Sequence, residues 1–174
     1  MKEWWLRTAL VLQSPRAVFV ALRDDSPEAA SNRAEPVLLV VLLTGIALAL
    51  SSNAAKSYHG LTLPVLLFIG GGITGAAAYF AFGGLLYLSG HVLGSHGSFR
   101  RARHVLAFAA VPLALSLVAS PAGRNAFAWI IFAFVAWSTA LLVIGVRAVH
   151  GWTWLRAAAA VAPPLAAAAL LLAL

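Results

Sequence analysis

The chain reads as an all-α, polytopic membrane protein: five transmembrane helices preceded by an amphipathic N-terminal segment that lies at the membrane interface. Three observations predict this. The 174 residues are 62% hydrophobic and only 10% charged, with a mean hydropathy of +0.92, whereas soluble domains sit near ~45–50% apolar and ~25% charged. All five acids (Glu3, Asp24, Asp25, Glu28 and Glu35) fall in the first 35 residues, and the rest of the chain carries seven bases and no carboxylate. Finally, long uncharged runs alternate with short basic segments. The densest is Arg100, Arg101 and Arg103, between an uncharged run over 61–93 and an apolar run containing Pro112. A basic cluster between two spans normally stays on the cytoplasmic side.

Residues 1–36 form the first division. Arg7 interrupts the opening apolar run and Gln13-Ser14-Pro15 follows it, which does not fit a cleaved signal with an unbroken apolar centre. Trp4 and Trp5 suit the headgroup zone, where amphipathic rings anchor. Ser14-Pro15 predicts a helix start, with Ser as cap and Pro at the first helical position. Pro15, Val18, Phe19 and Leu22 then fall on one stripe. Such a helix either lies in the interface plane or packs on the cytoplasmic end of the bundle, and both readings stay open here. Trp4, Trp5 and Phe19 are the candidate interfacial anchors. Asp24-Asp25-Ser26-Pro27-Glu28 starts another short turn, and 29–36 reads as a polar linker.

Residues 37–174 form the transmembrane division. Span one covers about 37–53, entered through Pro36. Span two covers 61–93, which would be ~50 Å as a straight helix against a hydrocarbon core of ~30 Å. It is too long for one upright span and too short for two. One helix is expected, tilted or bent around Gly70-Gly71-Gly72; a broken helix lining a cavity is the alternative. Gly71, Gly75, Ala78, Gly83 and Gly84 would let a neighbouring helix approach closely, and Leu86 is expected to face lipid. Span three, about 104–120, should bend at Pro112. Pro121 to Arg124 reads as a tight turn, with Asn125 capping span four (126–146). Span five, 155–174, should bend at Pro163 and Pro164. With five spans, the N-terminal segment, the 94–103 loop and the 147–156 loop share one side, which holds ten of the twelve bases. That asymmetry places the N-terminus in the cytoplasm and Leu174 outside, in a multi-pass protein of the cell membrane.

Little in the chain suggests chemistry. No carboxylate lies in a span, which argues against proton relays, Glu-based metal sites and intramembrane aspartyl proteolysis. Cysteine is absent, so thiol nucleophiles and thiolate metal sites are excluded. His91, His96, His104 and His150 gather near the basic loop, but His91 and His96 miss the i, i+4 helical spacing and have no orienting carboxylate. Ser95 and Ser98 near histidine lack a nucleophile-elbow pattern. No enzyme, metal or cofactor is expected. The bases form no stripe and no DNA or RNA motif, so nucleic acid is not a partner. The expected partners are the bilayer, anionic lipid through Arg100, Arg101 and Arg103, other membrane proteins or a second copy.

Three stretches resemble the Yip family, membrane proteins named for interacting with Rab-type GTPases, and its short prokaryotic members in particular. They are the leading segment with Ser14-Pro15, Phe19 and Leu22; the turn Gly94-Ser95-His96-Gly97-Ser98-Phe99-Arg100, similar to that family's Gly-rich turn ending in Gly-Ser-Phe and a base; and Phe108-Ala109-Ala110-Val111-Pro112. The resemblance covers most of the chain. It implies a non-enzymatic role as scaffold or partner in membrane organisation or trafficking, with no catalytic residues to transfer. Eukaryotic members carry an acidic, aromatic Asp-Leu-Tyr-Gly-Pro type motif before span one. Here that place reads Ser31 to Pro36, so Rab binding is not implied. A small transporter, channel or lipid-handling protein using Gly-rich span two and the Pro-bent spans is the competing expectation.

Overall fold

The structure is a computed structural model that describes residues 2–51, 62–118 and 124–173. These form helices α1 (Lys2–Leu10), α2 (Pro15–Ala21), α3 (Pro27–Ser51), α4 (Thr62–Val92), α5 (Phe99–Ala109), α6 (Val111–Leu115), α7 (Arg124–His150) and α8 (Trp154–Ala173). There is no strand among the described residues.

Pro15 does occupy the start of α2, but the Ser14 side chain makes no capping bond. Val18, Phe19 and Leu22 are buried, and α2 packs on α7. Gly145 makes the room: a Cβ there would lie 2.9 Å from Phe19 Cε1 and 3.0 Å from Val105 Cγ1. Of the two readings left open, the stripe is therefore a packing face. The connection to α3 is capped twice over. The Asp24 carboxylate accepts from the Ser26 N–H at 3.0 Å, and the Ser26 hydroxyl accepts from the Ala29 N–H at 3.2 Å. The expected linker 29–36 is thus the opening of α3, which runs unbroken through Pro36. The division at residue 36 does not mark a change of element, because good helix formers and a proper cap outweigh a single Pro.

α4 is one continuous helix through Gly70-Gly71-Gly72. It closes in a Schellman arrangement: Gly94 sits at φ +84°, the Ser95 N–H donates to Gly90 O and the Gly94 N–H to His91 O, both at 2.9 Å. The basic segment is helical rather than a loop, because Ser98 caps α5 by accepting the Arg101 N–H at 3.0 Å. α5 starts at Phe99, five residues before the expected span. The chain breaks at Ala110, and the two stretches Phe99–Ala109 and Val111–Val118 meet at 40°, with Pro112 in the first turn of α6. α7 already begins at Arg124, so Asn125 lies inside the helix. The predicted turn over 121–123 lies outside the described residues. Pro163 and Pro164 fall inside α8.

Three stretches are long and apolar enough to cross a membrane: Pro27–Leu50, Leu67–Val92 and Trp129–His150. The α5–α6 pair would be a fourth if the bent pair is one span, and the apolar part of α8, Trp154–Leu170, is shorter than the rest. By length and composition the described residues thus supply three spans, or four with the bent pair, and α8 adds a shorter apolar helix. The run with the break at Ala110 passes as one span in sequence but is two helices here, while α8 is continuous over Trp154–Ala173.

α3 lies against α4, and the contact is made by backbone. A Cβ on Gly45 would fall on the Gly71 carbonyl and 2.7 Å from Gly75 N; one on Gly71 would lie 2.8 Å from Ile46 Cα; one on Gly75 would strike the Val41 carbonyl. α8 packs on α4 and α7, while α5 and α6 fill the space between α3, α4 and α7. Phe19, Val105, Phe108, Val146, Ala157, Ala160 and Val161 form the heart of the buried core. Large side chains on the first halves of α4 and α7, including Phe68, Ile73, Trp129 and Phe132, stay exposed, as lipid-facing residues do.

Candidate functional site

The core end of the bundle is also where the charges collect. Six chain segments meet there: the tail of α2, the start of α3, the end of α4, the start of α5, the end of α7 and the start of α8. Arg23 donates to Ala148 O at 3.1 and 2.6 Å, Ser98 donates to the Asp25 carboxylate, and Arg156 donates to Leu93 O. The N-terminal segment, the 94–103 stretch and the 147–156 stretch, grouped by the charge count, are in contact at this end.

Asp25 is its centre. One carboxylate oxygen takes the Ser98 hydroxyl. The other lies 3.4 Å from Arg100 Nε and 3.8 Å from Arg33 Nη2. Arg33 is 1% exposed, yet its Nε and Nη2 make no hydrogen bond. Its guanidinium lies 5.2 Å from the Trp4 ring centre, Arg7 covers Trp4 at 4.8 Å, and Trp4 tilts onto Phe108 at 5.7 Å. A buried guanidinium sharing one carboxylate gains from the ring's negative face, since the interaction strengthens when both are out of water. Nearby, the Ser26 N–H, and after it the Ser26 side chain, holds the exposed Asp24 carboxyl below its ordinary range.

The three candidate headgroup contacts do not converge on one ligand. Arg100 faces Asp25. Arg101 donates to Arg23 O at 2.9 Å. Arg103 lies over Tyr79, Phe80 and Phe99 at 5.1, 4.5 and 4.6 Å. Gly83 makes room for the Arg103 stem, whose Cα would lie 3.3 Å from an added Cβ, and Gly84 lies against Phe99. The small residues of span two thus serve two neighbours: Gly71 and Gly75 receive α3, Gly83 and Gly84 receive α5, and Ala78 is half-buried between them. Leu86, expected to face lipid, is 4% exposed. It lines a small cavity with Ala160 and Val146, because α8 covers that side of α4.

Among the anchor residues, Trp4 and Phe19 are buried at 6% and 0% exposure, which leaves Trp5 exposed at 39%. Ser95 and His150, unpaired in the sequence reading, meet at 3.3 Å between Oγ and Nδ1, and the Gly97 N–H donates to the same Oγ at 3.0 Å. The charged groups acting on His150 are Arg101, Arg156 and Arg23, all cations, so it lacks the carboxylate that orients a catalytic base. The adjoining cavity, lined by Ser95, Gly97, Ser98, Arg101 and His150, is about 20 Å³, room for about one water. No group of three His, Cys, Asp or Glu able to hold a metal occurs among the described residues.

Sequence reasoning missed Arg33, Asp25 and Gly45. Arg33 was hidden in an apparent linker and Asp25 in a polar turn. Gly45 was the one glycine of span one, a signal that could have paired it with the Gly71/Gly75 face.

The arrangement fastens distant segments of the chain to one another. Its features coincide with a family comparison: residues 9–174 match the model of the Yip1 domain. No curated protein and no solved structure matches the chain. A match over nearly the whole length, in a chain whose described residues include helices long and apolar enough to cross a membrane, makes this protein a member of the Yip family of membrane proteins.

Proposed function

We propose that the protein is a non-enzymatic scaffold or partner for other membrane components, acting in membrane organisation or trafficking. The observation that carries this reading is the closed contact between α3 and α4, where Gly45, Gly71 and Gly75 leave no space for even a methyl group. A bundle that conducts a solute needs a polar-lined route; the cavity beside Ser95 and His150 holds about 20 Å³, and the larger polar one, about 340 Å³, is an open hollow between α1, the end of α2 and the start of α3. The transport alternative rests on the 40° break between α5 and α6, since broken helices line many substrate paths. Here the carbonyl at the break, Ala110 O, is approached by the Thr44 hydroxyl at 3.5 Å, a protein partner rather than a lumen.

The full topology belongs to the same proposal: five spans, with α5–α6 and α8 as the third and fifth, the N-terminus in the cytoplasm and Leu174 outside in the cell membrane. Ten of twelve bases on one side support it, as does the meeting of the three basic segments at one end of the bundle. Anionic lipid at Arg100, whose side chain stays 42% exposed in its pairing with Asp25, fits that placement, and partner proteins or a second copy would meet the lipid-facing helices.

Purified protein in sealed vesicles loaded with ions or small dyes should leak no faster than protein-free vesicles. Removing the gene should alter the distribution of a defined set of membrane proteins, measured by quantitative membrane proteomics and restored by the wild-type gene. Flux clearly above protein-free vesicles would replace the scaffold reading with the transport one.

A further inference from the structure

α1 has three faces. At ~100° per residue, Trp5, Leu6, Ala9 and Leu10 fall within an arc of about 140°, which Lys2 of the first turn shares. Trp4 and Thr8, with Val11 just beyond the helix, lie on the opposite side. The second set packs inward: Trp4 is 6% and Val11 0% exposed, and the Thr8 hydroxyl donates to Trp4 O at 2.8 Å. The first set faces out, with Trp5 39%, Leu6 66% and Leu10 44% exposed. Glu3 and Arg7 pair across one turn along the border between them. Soluble surfaces seldom gather large apolar side chains in this way, and a helix that needs only to dock on the bundle does not need a second apolar face.

We propose that the outer face of α1 inserts into the lipid interface, so that this helix alone of the N-terminal segment touches the bilayer while α2 is held by protein. The occupant is lipid for two reasons. Trp4 reaches Phe108 of α5 and Arg33 of α3, just before the exposed Leu38 and Leu39 of the first span, so α1 is fastened where the lipid-facing surface begins. Three side chains on a nine-residue helix also fall far short of the ~800 Å² per partner that a specific protein interface buries. The insertion is shallow, roughly 5–10 Å into the headgroup boundary. Trp5 has the amphipathic ring suited to that depth, and the Arg7–Glu3 pair borders water. This inference rests on membrane residence of the fold and not on the scaffold reading.

The chain has no cysteine, so single cysteines can carry a nitroxide at Glu3, Leu6 and Leu10. In phosphatidylcholine vesicles with a minority of phosphatidylglycerol, the ratio of oxygen to nickel-chelate accessibility should be severalfold higher at Leu6 and Leu10 than at Glu3. The unlabelled wild-type chain, in vesicles doped with a phospholipid bearing a photoactivatable group near its glycerol, should be cross-linked within residues 2–10. Ratios at Leu6 and Leu10 equal to that at Glu3 would overturn the proposal, as would a wild-type chain cross-linked elsewhere but not in α1. Protection from both reagents with spin–spin broadening would overturn it in favour of a second copy covering the face.

Discussion

A guanidinium out of water needs partners, and after Glu35 this chain provides no carboxylates. The described bases solve the shortage in two ways. Arg101 and Arg156 donate to carbonyl oxygens, of Arg23 and Leu93. Arg103, Arg147 and Arg156 lie over aromatic rings, Arg147 at 4.3 Å from Trp154 and Arg156 at 4.5 Å from Trp152. Arg33 and Arg100 instead share Asp25, which makes that carboxylate hard to replace. Removing one partner of a buried pair costs about 3–5 kcal/mol, because the other charge is left uncompensated, whereas replacing both by apolar groups is often neutral. Asp25→Ala should therefore lower the thermal midpoint markedly in detergent, and adding Arg33→Met should recover part of the loss. An unchanged midpoint for Asp25→Ala would mean that Arg33 is stabilised by Trp4 alone.

At the scale of elements, most helices were legible because apolar runs and Ser-Pro starts survive into the structure. The boundaries that failed did so for local reasons. Ser98 and Ser26 begin helices within stretches that composition alone marks as loop and linker. Helix partners were less legible still: the small residues of α4 are visible in sequence, but their division between α3 and α5 depends on the neighbours' shapes. Two glycines of that helix make a matched test. A Cβ on Gly70 meets nothing within 4 Å, while one on Gly75 strikes α3 backbone and approaches Gly45 Cα to 3.2 Å. Gly75→Ala should destabilise by about 1–3 kcal/mol, the usual overpacking range. Gly70→Ala should be neutral or stabilising by up to ~1 kcal/mol, since glycine weakens a helix interior. Leu86→Ala, on a face that proved buried, belongs with the damaging changes at about 2–5 kcal/mol. Thermal unfolding of the three purified variants ranks them, and equal midpoints for the two glycine variants would remove the close α3–α4 contact from the account of stability.

For the whole molecule, the sequence reveals membrane residence and family but hides the site. Hydropathy and charge patterns are one-dimensional signals. The Asp25 cluster instead joins residues separated by 73 positions to Ser98 and by 75 to Arg100, and no periodicity encodes such a meeting. Topology lies between these extremes. Reporter fusions after Ser57, Ser98, Gly123 and Gly151 should alternate outside, inside, outside, inside. Fusions at Ser98 and Gly123 reporting the same side would mean that α5–α6 enters and leaves by one face, reducing the spans by one.

The Ser98 hydroxyl holds two partners at once: it accepts the N–H that starts α5 and donates to the Asp25 carboxylate. On a growing chain these partners appear at different times. At ~5–20 residues per second, about 4–15 s of synthesis separate Asp25 from Ser98. Arg23 waits longer for the Ala148 carbonyl, 125 residues downstream. Asp25 and Arg23 thus leave the ribosome early and are fastened late, unlike Glu3 and Arg7, which pair within one turn. Until α5, and then α7, have been made, the N-terminal segment is held only by its own contacts and by whatever the membrane surface offers. At this end, Asp25 and Arg23 can be fastened only to segments made well after them.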